Sequence, residues 1–216
     1  MKRIFITATN TNIGKTYTTK LLLREFASRG LKVGVFKPIE TGVLDEPQDA
    51  KELLLLVKEL NHSLWSLDID DIAPITYSLA ASPFVASQNT PLDLKKIISK
   101  LEELESFCDI VIIEGAGGLF VPIDENTMMI DLIVSLRAHA VLVTHCSLGC
   151  INDTLLSKYA LERRNIPHKV IFNCRDIDND FSHVSEPYFK KIGFRILKTK
   201  ENIDTICDVL YNTNNK

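Results

Sequence analysis

The fold of this chain is decided by residues 4–16, which read IFITATNTNIGKT. The first five residues form a short apolar run without polar alternation, which is typical of a strand buried on both faces. An amphipathic helical pattern over residues 15–28 follows at once. Gly-Lys-Thr between a buried strand and a helix is the working half of a phosphate-binding loop. The stretch therefore predicts an α/β nucleotide-binding fold.

Similar apolar runs alternate with helical patterns along the rest of the chain. Further predicted strands cover residues 32–36, 110–113, 140–144, 169–172 and, more weakly, 194–197. Further predicted helices cover residues 50–60, 92–107, 128–136 and 152–163. This repetition is typical of right-handed βαβ units and of a parallel sheet flanked by helices. We therefore expect a single P-loop NTPase-like α/β domain over residues 1–216, with a frayed tail at residues 210–216.

Composition excludes several functional classes. The 216 residues are 45% hydrophobic and 25% charged, with a net charge of −3 and a pI near 6.0. This balance gives no electrostatic basis for binding nucleic acid or an anionic membrane. No apolar run approaches the ~18 residues of a membrane span. The first residues, MKRIFITATN, lack the apolar stretch of a signal peptide, so we expect mature sequence.

The pattern of the five cysteines indicates the redox conditions under which the protein works. None of them forms a C-x-x-C pair, and their number is odd. Three lie in or beside apolar segments, where free cysteine behaves as a small buried hydrophobic residue. We therefore expect free thiols and a reducing cytoplasm.

Ligands of open parallel sheets bind outside the carboxyl ends of the strands, so the residues after each strand are the candidate site. After the first strand, Lys15 is placed to reach the β/γ oxygens of a nucleotide, and Thr16 offers a hydroxyl to Mg²⁺. The glycine usual five positions before Gly14 is missing, since Thr9 stands there. The alternative is an accidental Gly-Lys-Thr at a helix start, with Lys15 merely solvated.

Lys37 and Pro38 follow the second strand. Lys37 is placed to direct its ammonium into the same crevice as Lys15, and the alternative is a surface lysine with its head in water. Asp49 precedes an apolar helical run, where it is either a helix N-cap or a carboxylate facing a phosphate-bound Mg²⁺. These two interpretations of Asp49 are compatible.

Glu114 closes the third strand and is followed by Gly115, Ala116, Gly117 and Gly118. A buried carboxylate is costly without a partner, and a metal ion beside the phosphate loop is one such partner. The alternative is a glutamate in a structural salt bridge. The glycines allow close approach of the backbone to a ligand, or tight turns.

The fourth and fifth strands end in residues of less specific chemistry. Gly149, Cys150 and Asn152 open a helix whose N-terminus is suited to an anion. Asn173 ends the fifth strand, and its amide has the geometry to bond N6 and N7 of adenine. Alone, an asparagine at a strand end is more often a turn residue.

Taken together, the strand-end residues resemble dethiobiotin synthetase. The loop of that family, Gly-Thr-Asp-Thr-x-Val-Gly-Lys-Thr, is similar to residues 8–16. Also similar are the Lys37-Pro38 pair with Thr41, residues 49–50, Ser82-Pro83, residues 114–118 and residues 148–152. The resemblance covers residues 1–174 in the right order and fades beyond Asn173.

The resemblance implies a ligase that forms C–N bonds in biotin biosynthesis. The implied reaction converts 7,8-diaminononanoate, CO₂ and MgATP to dethiobiotin, ADP and phosphate, through a carbamate and a carbamic-phosphoric anhydride. It assigns Lys15 and Lys37 to catalysis, and Thr16, Asp49 and Glu114 to Mg²⁺. The implied nucleotide-binding residues are Asn12, Ile13, Gly14, Lys15, Thr16, Tyr17, Glu114, Gly115, Ala116, Gly117 and Asn173. The implied substrate residues are Thr11, Lys37, Thr41, Gly149, Cys150 and Asn152.

The resemblance also implies a homodimer in which the Gly149–Asn152 helix start reaches the partner's substrate. The missing similarity beyond Asn173 predicts relaxed selectivity for the nucleotide base. Three alternatives of other classes are a P-loop switch ATPase acting on a protein partner, a carboxylate-amidating ligase and a nucleotide-binding module without chemistry. Switch ATPases of this kind usually carry an extra lysine early in the loop, and residues 9–12 contain none. A carboxylate-amidating ligase needs a glutamine-hydrolysing domain for which 216 residues leave no room.

Overall fold

A computed structural model describes residues 2–212 of the chain. Its strands are β1 (Lys2–Ala8), β2 (Val33–Phe36), β3 (Ile39–Thr41), β4 (Ile75–Tyr77), β5 (Ile110–Gly118), β6 (His139–His145) and β7 (His168–Asn173). Its longer helices are α1 (Lys15–Ser28), α2 (Gln48–Leu60), α5 (Leu94–Glu105), α7 (Cys150–Arg163) and α10 (Ile203–Asn212). The shorter ones are α3 (Ile69–Ile72), α4 (Pro83–Ala86), α6 (Met129–Ser135), α8 (Phe181–Val184) and α9 (Glu186–Lys191).

The main sheet has five strands in the order β2-β5-β1-β6-β7. Every neighbouring pair is parallel, so all five carboxyl ends meet at one edge. The register of β1 against β5 is regular from Lys2 to Ile6 and shifts before Ala8. This irregularity lies beside the phosphate loop, where the backbone leaves the sheet. The architecture is the predicted P-loop NTPase-like parallel sheet flanked by helices.

Burial explains why the central strands carry no polar alternation. Residues 4–6 of β1 and 111–113 of β5 are fully buried, because helices cover both faces of the sheet. The amphipathic helices pack their apolar sides on this sheet, as the residues Leu22, Leu53 and Leu101 do. Helix α5 begins where Asp93 accepts a hydrogen bond from the Lys96 amide at 3.0 Å.

Several features differ from the sequence prediction. The third strand is predicted to end at residue 113, whereas β5 continues through Glu114 to Gly118. Residues 39–41 and 75–77 form a separate two-stranded parallel sheet, since Pro38 turns the chain out of the main sheet after β2. Residues 194–197 form no strand; only an isolated bridge joins Lys198 to Phe172. The tail predicted to fray at residues 210–216 is helical through Asn212, and Leu210 is buried. Residues 213–216 lie outside the described part of the chain.

The cysteines also differ from expectation. Cys146 and Cys174 form a disulfide between the ends of the neighbouring strands β6 and β7. The expectation of free thiols is therefore wrong for this pair, because parallel pairing of β6 and β7 brings two cysteines distant in sequence together. Cys108, Cys150 and Cys207 are free and buried. Over residues 2–212, no helix has the length and apolarity to cross a membrane.

Candidate active site

The phosphate loop joins β1 to α1. Gly14 has φ of 102°, a left-handed conformation that glycine adopts without strain. A Cβ atom here would lie 2.1 Å from Asn173 Nδ2, so the position has no room for a side chain. Lys15 and Thr16 follow in the first turn of α1, and the unpaired amides of this turn face the carboxyl edge of the sheet. The local geometry is that of an anion-binding loop.

Lys37 and Glu114 form a buried ion pair beside this loop. Glu114 is fully buried, and its Oε1 atom lies 2.7 Å from Lys37 Nζ. The same carboxylate accepts hydrogen bonds from Thr16 Oγ1 at 2.9 Å and Thr19 Oγ1 at 2.8 Å. Lys37 is only 4% exposed, which excludes the surface-lysine interpretation. The contacts of Glu114 are those of the salt-bridge alternative, and the same carboxylate borders the loop where Mg²⁺ is predicted.

Asp49 completes this cluster. Its Oδ2 atom lies 3.2 Å from Lys37 Nζ, and its side chain is 49% exposed. The N-cap of α2 is Pro47, so the interpretation of Asp49 as an N-cap is wrong. Asp49 instead occupies the first turn of the helix, where a carboxylate interacts favourably with the helix dipole.

A cavity of about 430 Å³ unites these groups at the carboxyl edge of the sheet. Of the predicted residues, those lining it are Thr11, Asn12, Gly14, Lys15, Thr16, Tyr17, Lys37, Thr41, Asp49, Glu114, Gly115, Ala116 and Gly117. Packing also requires a glycine at position 115, because a Cβ atom here would lie 2.7 Å from the Phe5 ring. Ile39, Glu40 and Arg175 line the cavity as well and were not singled out by the sequence.

Two lysines in one buried cluster differ in proton affinity. Burial, assisted by the neighbouring Lys37 charge, lowers the pKa of Lys15 to about 8. Burial also opposes the charge on Lys37, but the Glu114 and Asp49 carboxylates outweigh it and raise the pKa of Lys37. Lys37 therefore stays charged at neutral pH, whereas Lys15 is the cation whose charge a bound phosphate would stabilise.

A second cavity, of about 350 Å³, lies on the other side of the phosphate loop. Gly14, Tyr17 and Arg175 border both cavities, and Asn173 and Cys174 line the second one. Asn173 Nδ2 donates to the Ile13 carbonyl at 2.8 Å, and the Arg175 guanidinium donates to the Asn12 carbonyl. The end of β7 is thus attached to the loop, and one Asn173 amide proton is already engaged.

Gly149, Cys150 and Asn152 are not brought to the main cavity of this chain. Gly149 is the N-cap of α7, as the sequence predicts, and Cys150 is buried. The exposed Asn152 side chain donates to Asp153 Oδ1 at 3.1 Å. All three lie at the carboxyl edge of the sheet, beyond the end of β6.

The predicted magnesium ligands have the donor chemistry of a hard-cation site. Within residues 2–212, no cluster of three or more His, Cys, Asp or Glu side chains has the arrangement of a metal site. Thr16, Asp49 and Glu114 supply one hydroxyl and two carboxylates, all hard oxygen donors. Mg²⁺ is commonly held by one or two carboxylates together with substrate phosphates and water. Thr16, Asp49 and Glu114 line one cavity, and Thr16 Oγ1 lies 2.9 Å from Glu114 Oε1, so the chemistry of this donor set fits Mg²⁺.

Sequence reasoning missed three polar residues of this region. Thr19 bonds Glu114 from the second turn of α1, Arg175 bonds the loop, and Glu40 bonds the start of α2. A signal existed for two of them. Glu40 follows Lys37-Pro38 by two positions, and Arg175 follows Asn173 by two, so both lie just beyond a strand end.

Comparison with known proteins agrees with this geometry. A family model described as "AAA domain" matches residues 2–210. The ATP-dependent dethiobiotin synthetase BioD of Sulfurovum sp. (strain NBC37-1) is 45% identical over 192 residues, covering 89% of this chain and 91% of the relative. The protein of the same name from Wolinella succinogenes is 36% identical, covering 97% and 98%. The chain belongs to the dethiobiotin synthetase family.

Similarity to dethiobiotin synthetases also covers the C-terminal part of the chain. The synthetase BioD of Methanocaldococcus jannaschii is 36% identical over 210 residues, covering 94% of this chain and 91% of the relative. Similarity to the Wolinella protein runs over 213 residues, well past Asn173. The expectation that similarity fades there is therefore too narrow.

Similar solved structures show the fold. The cell division protein MinD of Aquifex aeolicus has a TM-score of 0.53 at 17% identity, covering 97% of this chain and 87% of that one. A plasmid partition protein of Borrelia burgdorferi, bound to AMPPNP, has a TM-score of 0.54 at 13% identity, covering 100% and 92%. The Sulfurovum, Wolinella and Methanocaldococcus relatives are all dethiobiotin synthetases, and they do not support the switch-ATPase alternative.

Proposed function

We propose that this protein is a dethiobiotin synthetase that uses ATP to close the cyclic urea of dethiobiotin from 7,8-diaminononanoate and CO₂. One observation carries the proposal. A single cavity at the carboxyl edge of the sheet holds the phosphate loop, the Lys37–Glu114 pair and Asp49 in a chain that belongs to this family.

The chemistry proceeds in three steps. One substrate amine takes up CO₂ as a carbamate and releases a proton. A carbamate oxygen attacks the γ-phosphorus of ATP, and the bond to ADP breaks. The second amine then attacks the carbamate carbon and expels phosphate, which closes the ring and releases a second proton. Since the carbamate is itself the nucleophile, the protein contributes positioning and positive charge more than a general base.

The residues of the cavity are suited to these roles. Lys15 would hold the β- and γ-phosphate oxygens, while the loop amides and Tyr17 would border the nucleotide. Lys37 would lie between the carbamate and the γ-phosphate, because it comes directly after β2 at the carboxyl edge of the sheet. Glu114 keeps its ammonium charged. Thr11 and Thr41 line the same cavity and would position the diamine.

Magnesium is proposed on the donor set alone. Thr16, Asp49 and Glu114 would hold it, and the ion would supply charge compensation for the phosphates when bound. On the protein side, Thr16 Oγ1 and Glu114 Oε1 are already within 2.9 Å of each other, so these two donors need no large rearrangement.

A homodimer is proposed from the surface of α7. Asn152, Leu156 and Tyr159 are exposed and recur at i, i+4 and i+7, so they share one face of the helix. Leu156 and Tyr159 are 62% and 60% exposed and form an apolar strip on this face. A partner subunit that covers this face would bring its Asn152 near the substrate bound in the first subunit. This agrees with the finding that Asn152 does not line the cavity of the chain to which it belongs.

Two further features stay predictions. Relaxed base selectivity was predicted from missing similarity beyond Asn173, and similarity to the Wolinella relative extends past that residue. A comparison of ATP, GTP and CTP at equal Mg²⁺ therefore decides it. A cytoplasmic location was inferred from free cysteines, and the Cys146–Cys174 disulfide makes the redox state of this pair in cells the relevant measurement.

The decisive experiment is nucleotide turnover with each reactant omitted in turn. We expect ADP and phosphate to form only when both the diamine and bicarbonate are present, with dethiobiotin formed in equal amount. Phosphate release indifferent to the diamine would contradict the synthetase and favour a switch ATPase. Nucleotide binding without any turnover would favour the alternative of a nucleotide-binding module without chemistry.

A further inference from the structure

Glu40 is a buried acid that the proposed reaction leaves without a role. It is the middle residue of β3 and is only 7% exposed. Both of its carboxylate oxygens accept hydrogen bonds from the first turn of α2. The Asp49 amide donates to Oε1 at 3.1 Å, and the Ala50 amide donates to Oε2 at 2.9 Å.

These two amides need an outside partner. The first four N–H groups of a helix have no partner within the helix. The N-cap residue normally supplies one, but Pro47 occupies that position and has no side-chain acceptor. Glu40 therefore acts as a cap from a neighbouring strand, and its negative charge is favourable at a helix N-terminus.

The strand that carries Glu40 is itself fixed. Glu40 is paired in register with Thr76 of β4, and the preceding Ile39 is buried in the core. A carboxylate that bonds two successive amides from such a strand fixes both the position and the rotation of the helical turn it holds. Groups that act on a reacting centre need this kind of support around them.

The turn held by Glu40 carries Asp49. The Asp49 carboxylate is half exposed, and it contacts Lys37 Nζ at 3.2 Å. Its direction therefore depends on where the backbone of α2 begins. A displacement of this turn moves Asp49 away from Lys37 and from Glu114, which bonds Lys37 from the other side.

We propose that Glu40 is a positioning residue, which holds the first turn of α2 so that Asp49 faces Lys37 and the cation-binding donors. The inference rests on the proposed function only in naming the cation as Mg²⁺. Removal of a group that orients a metal ligand typically weakens metal binding about 10–100-fold. Glu40 touches neither substrate nor metal in this scheme and acts through Asp49.

The test uses the full chain with Glu40→Gln, and Glu46→Gln as the matched control. Glu46 is an exposed acid of the same connection and pairs with Lys51. Two quantities are measured without any turnover: the Mg²⁺ concentration needed for tight ADP binding, and hydrogen exchange of the α2 amides. Glu40→Gln should raise the Mg²⁺ requirement about tenfold or more and speed exchange at residues 49–52, with metal-free ADP affinity unchanged. Glu46→Gln should change neither.

A second variant separates positioning from charge and from stability. Pro47→Ser added to Glu40→Gln supplies a local N-cap. It should restore both amide protection and the Mg²⁺ requirement if Glu40 acts by holding the turn. Restored protection with an unrestored Mg²⁺ requirement would overturn the proposal, as would a lowered thermal midpoint with no change in the Mg²⁺ requirement. Because ADP binding is read without the diamine, a failed synthetase assay leaves this test standing.

Discussion

Lys37 Nζ and Glu114 Oε1 are joined at 2.7 Å, with Glu114 fully buried and Lys37 only 4% exposed. The two residues lie 77 positions apart in the chain and meet because β2 and β5 are neighbours in the sheet. The hydroxyls of Thr16 and Thr19 donate two further hydrogen bonds to the Glu114 carboxylate. This arrangement keeps a positive charge inside the cavity without a bound ligand.

The first prediction concerns the stability of this pair. Glu114→Leu should lower the free energy of unfolding by about 3–5 kcal/mol, because it leaves the Lys37 ammonium buried with Asp49 alone. The double replacement Lys37→Met with Glu114→Leu should cost less than the sum of the single variants, since no unpaired charge remains. Denaturant unfolding measures both. Additive costs would contradict the pair, and Glu46→Gln, at an exposed pair, should cost less than about 1 kcal/mol.

The second prediction concerns turnover at Lys37. Lys37→Ala and Lys37→Arg should both lower kcat about 10²–10³-fold, because an interaction formed with the transferring phosphoryl group is lost. Arginine is a poor replacement, since its planar fork cannot take the place of a compact ammonium. Nucleotide affinity, measured by calorimetry, should change only a fewfold. Lys51→Ala, at an exposed lysine, serves as the control, and near-normal turnover of Lys37→Ala would remove this residue from catalysis.

The third prediction follows from the lowered pKa of Lys15, which lies at about 8. Above that pH the free protein carries a neutral Lys15, and binding of a phosphate must take up a proton. ADP affinity should therefore fall about tenfold between pH 7.5 and pH 9, where each pH unit beyond the pKa is worth about 1.4 kcal/mol. Lys37 stays charged over this window, because its pKa is raised. Lys15→Arg should bind with little pH dependence, and an equal pH dependence in that variant would refute the assignment.

Most of the fold could be predicted from local pattern. The apolar runs of β1 and β5 are continuous because both faces of each strand are buried, and this signal is strong over a few residues. The small sheet of β3 and β4 was missed because three-residue strands carry too little periodicity to detect. Residues 194–197 resemble a strand in composition, but only Lys198 is bridged to Phe172.

The part of the site that lies near the ends of strands could be predicted from the sequence. Lys37 comes directly after β2, Lys15 follows β1 through the phosphate loop, and Glu114 lies in β5 directly after the residues that pair with β2. A parallel sheet brings such positions together without further information. The partners of Glu114 required the structure, since Thr19 lies on a helix and is one of many threonines. The Cys146–Cys174 disulfide was missed for the same reason, because its pairing depends on the β6–β7 register.

The fourth prediction concerns the shared site of the proposed homodimer. Lys37→Ala and Asn152→Ala should each inactivate the enzyme, and a mixture of the two should regain part of the activity after subunit exchange. Rescue is expected because one mixed site would hold an intact Lys37 and an intact Asn152 from different chains. Exchange is verified with differently tagged subunits. No rescue after verified exchange would mean that each chain works alone, and Tyr159→Asp should weaken association if α7 is the interface.

The fifth prediction concerns the disulfide and the second cavity. Cys174 stands between Asn173 and Arg175, which both donate to carbonyls of the phosphate loop, and its bond to Cys146 ties this segment to the end of β6. Reduction by a dithiol removes the covalent link between residues 173–175 and the end of β6. Binding of ADP must then order these residues again.

Ordering a free side chain costs about 0.5–1.5 kcal/mol, so the dissociation constant of ADP should rise about 2–12-fold on reduction. Cys146→Ser should bind ADP like the reduced protein and should not respond to the dithiol. The reagent should act on this pair alone, because Cys108, Cys150 and Cys207 are already free thiols, and the thiol count should rise from three to five. Equal ADP affinity in both redox states would show that the contacts of Asn173 and Arg175 hold the loop without help from the disulfide.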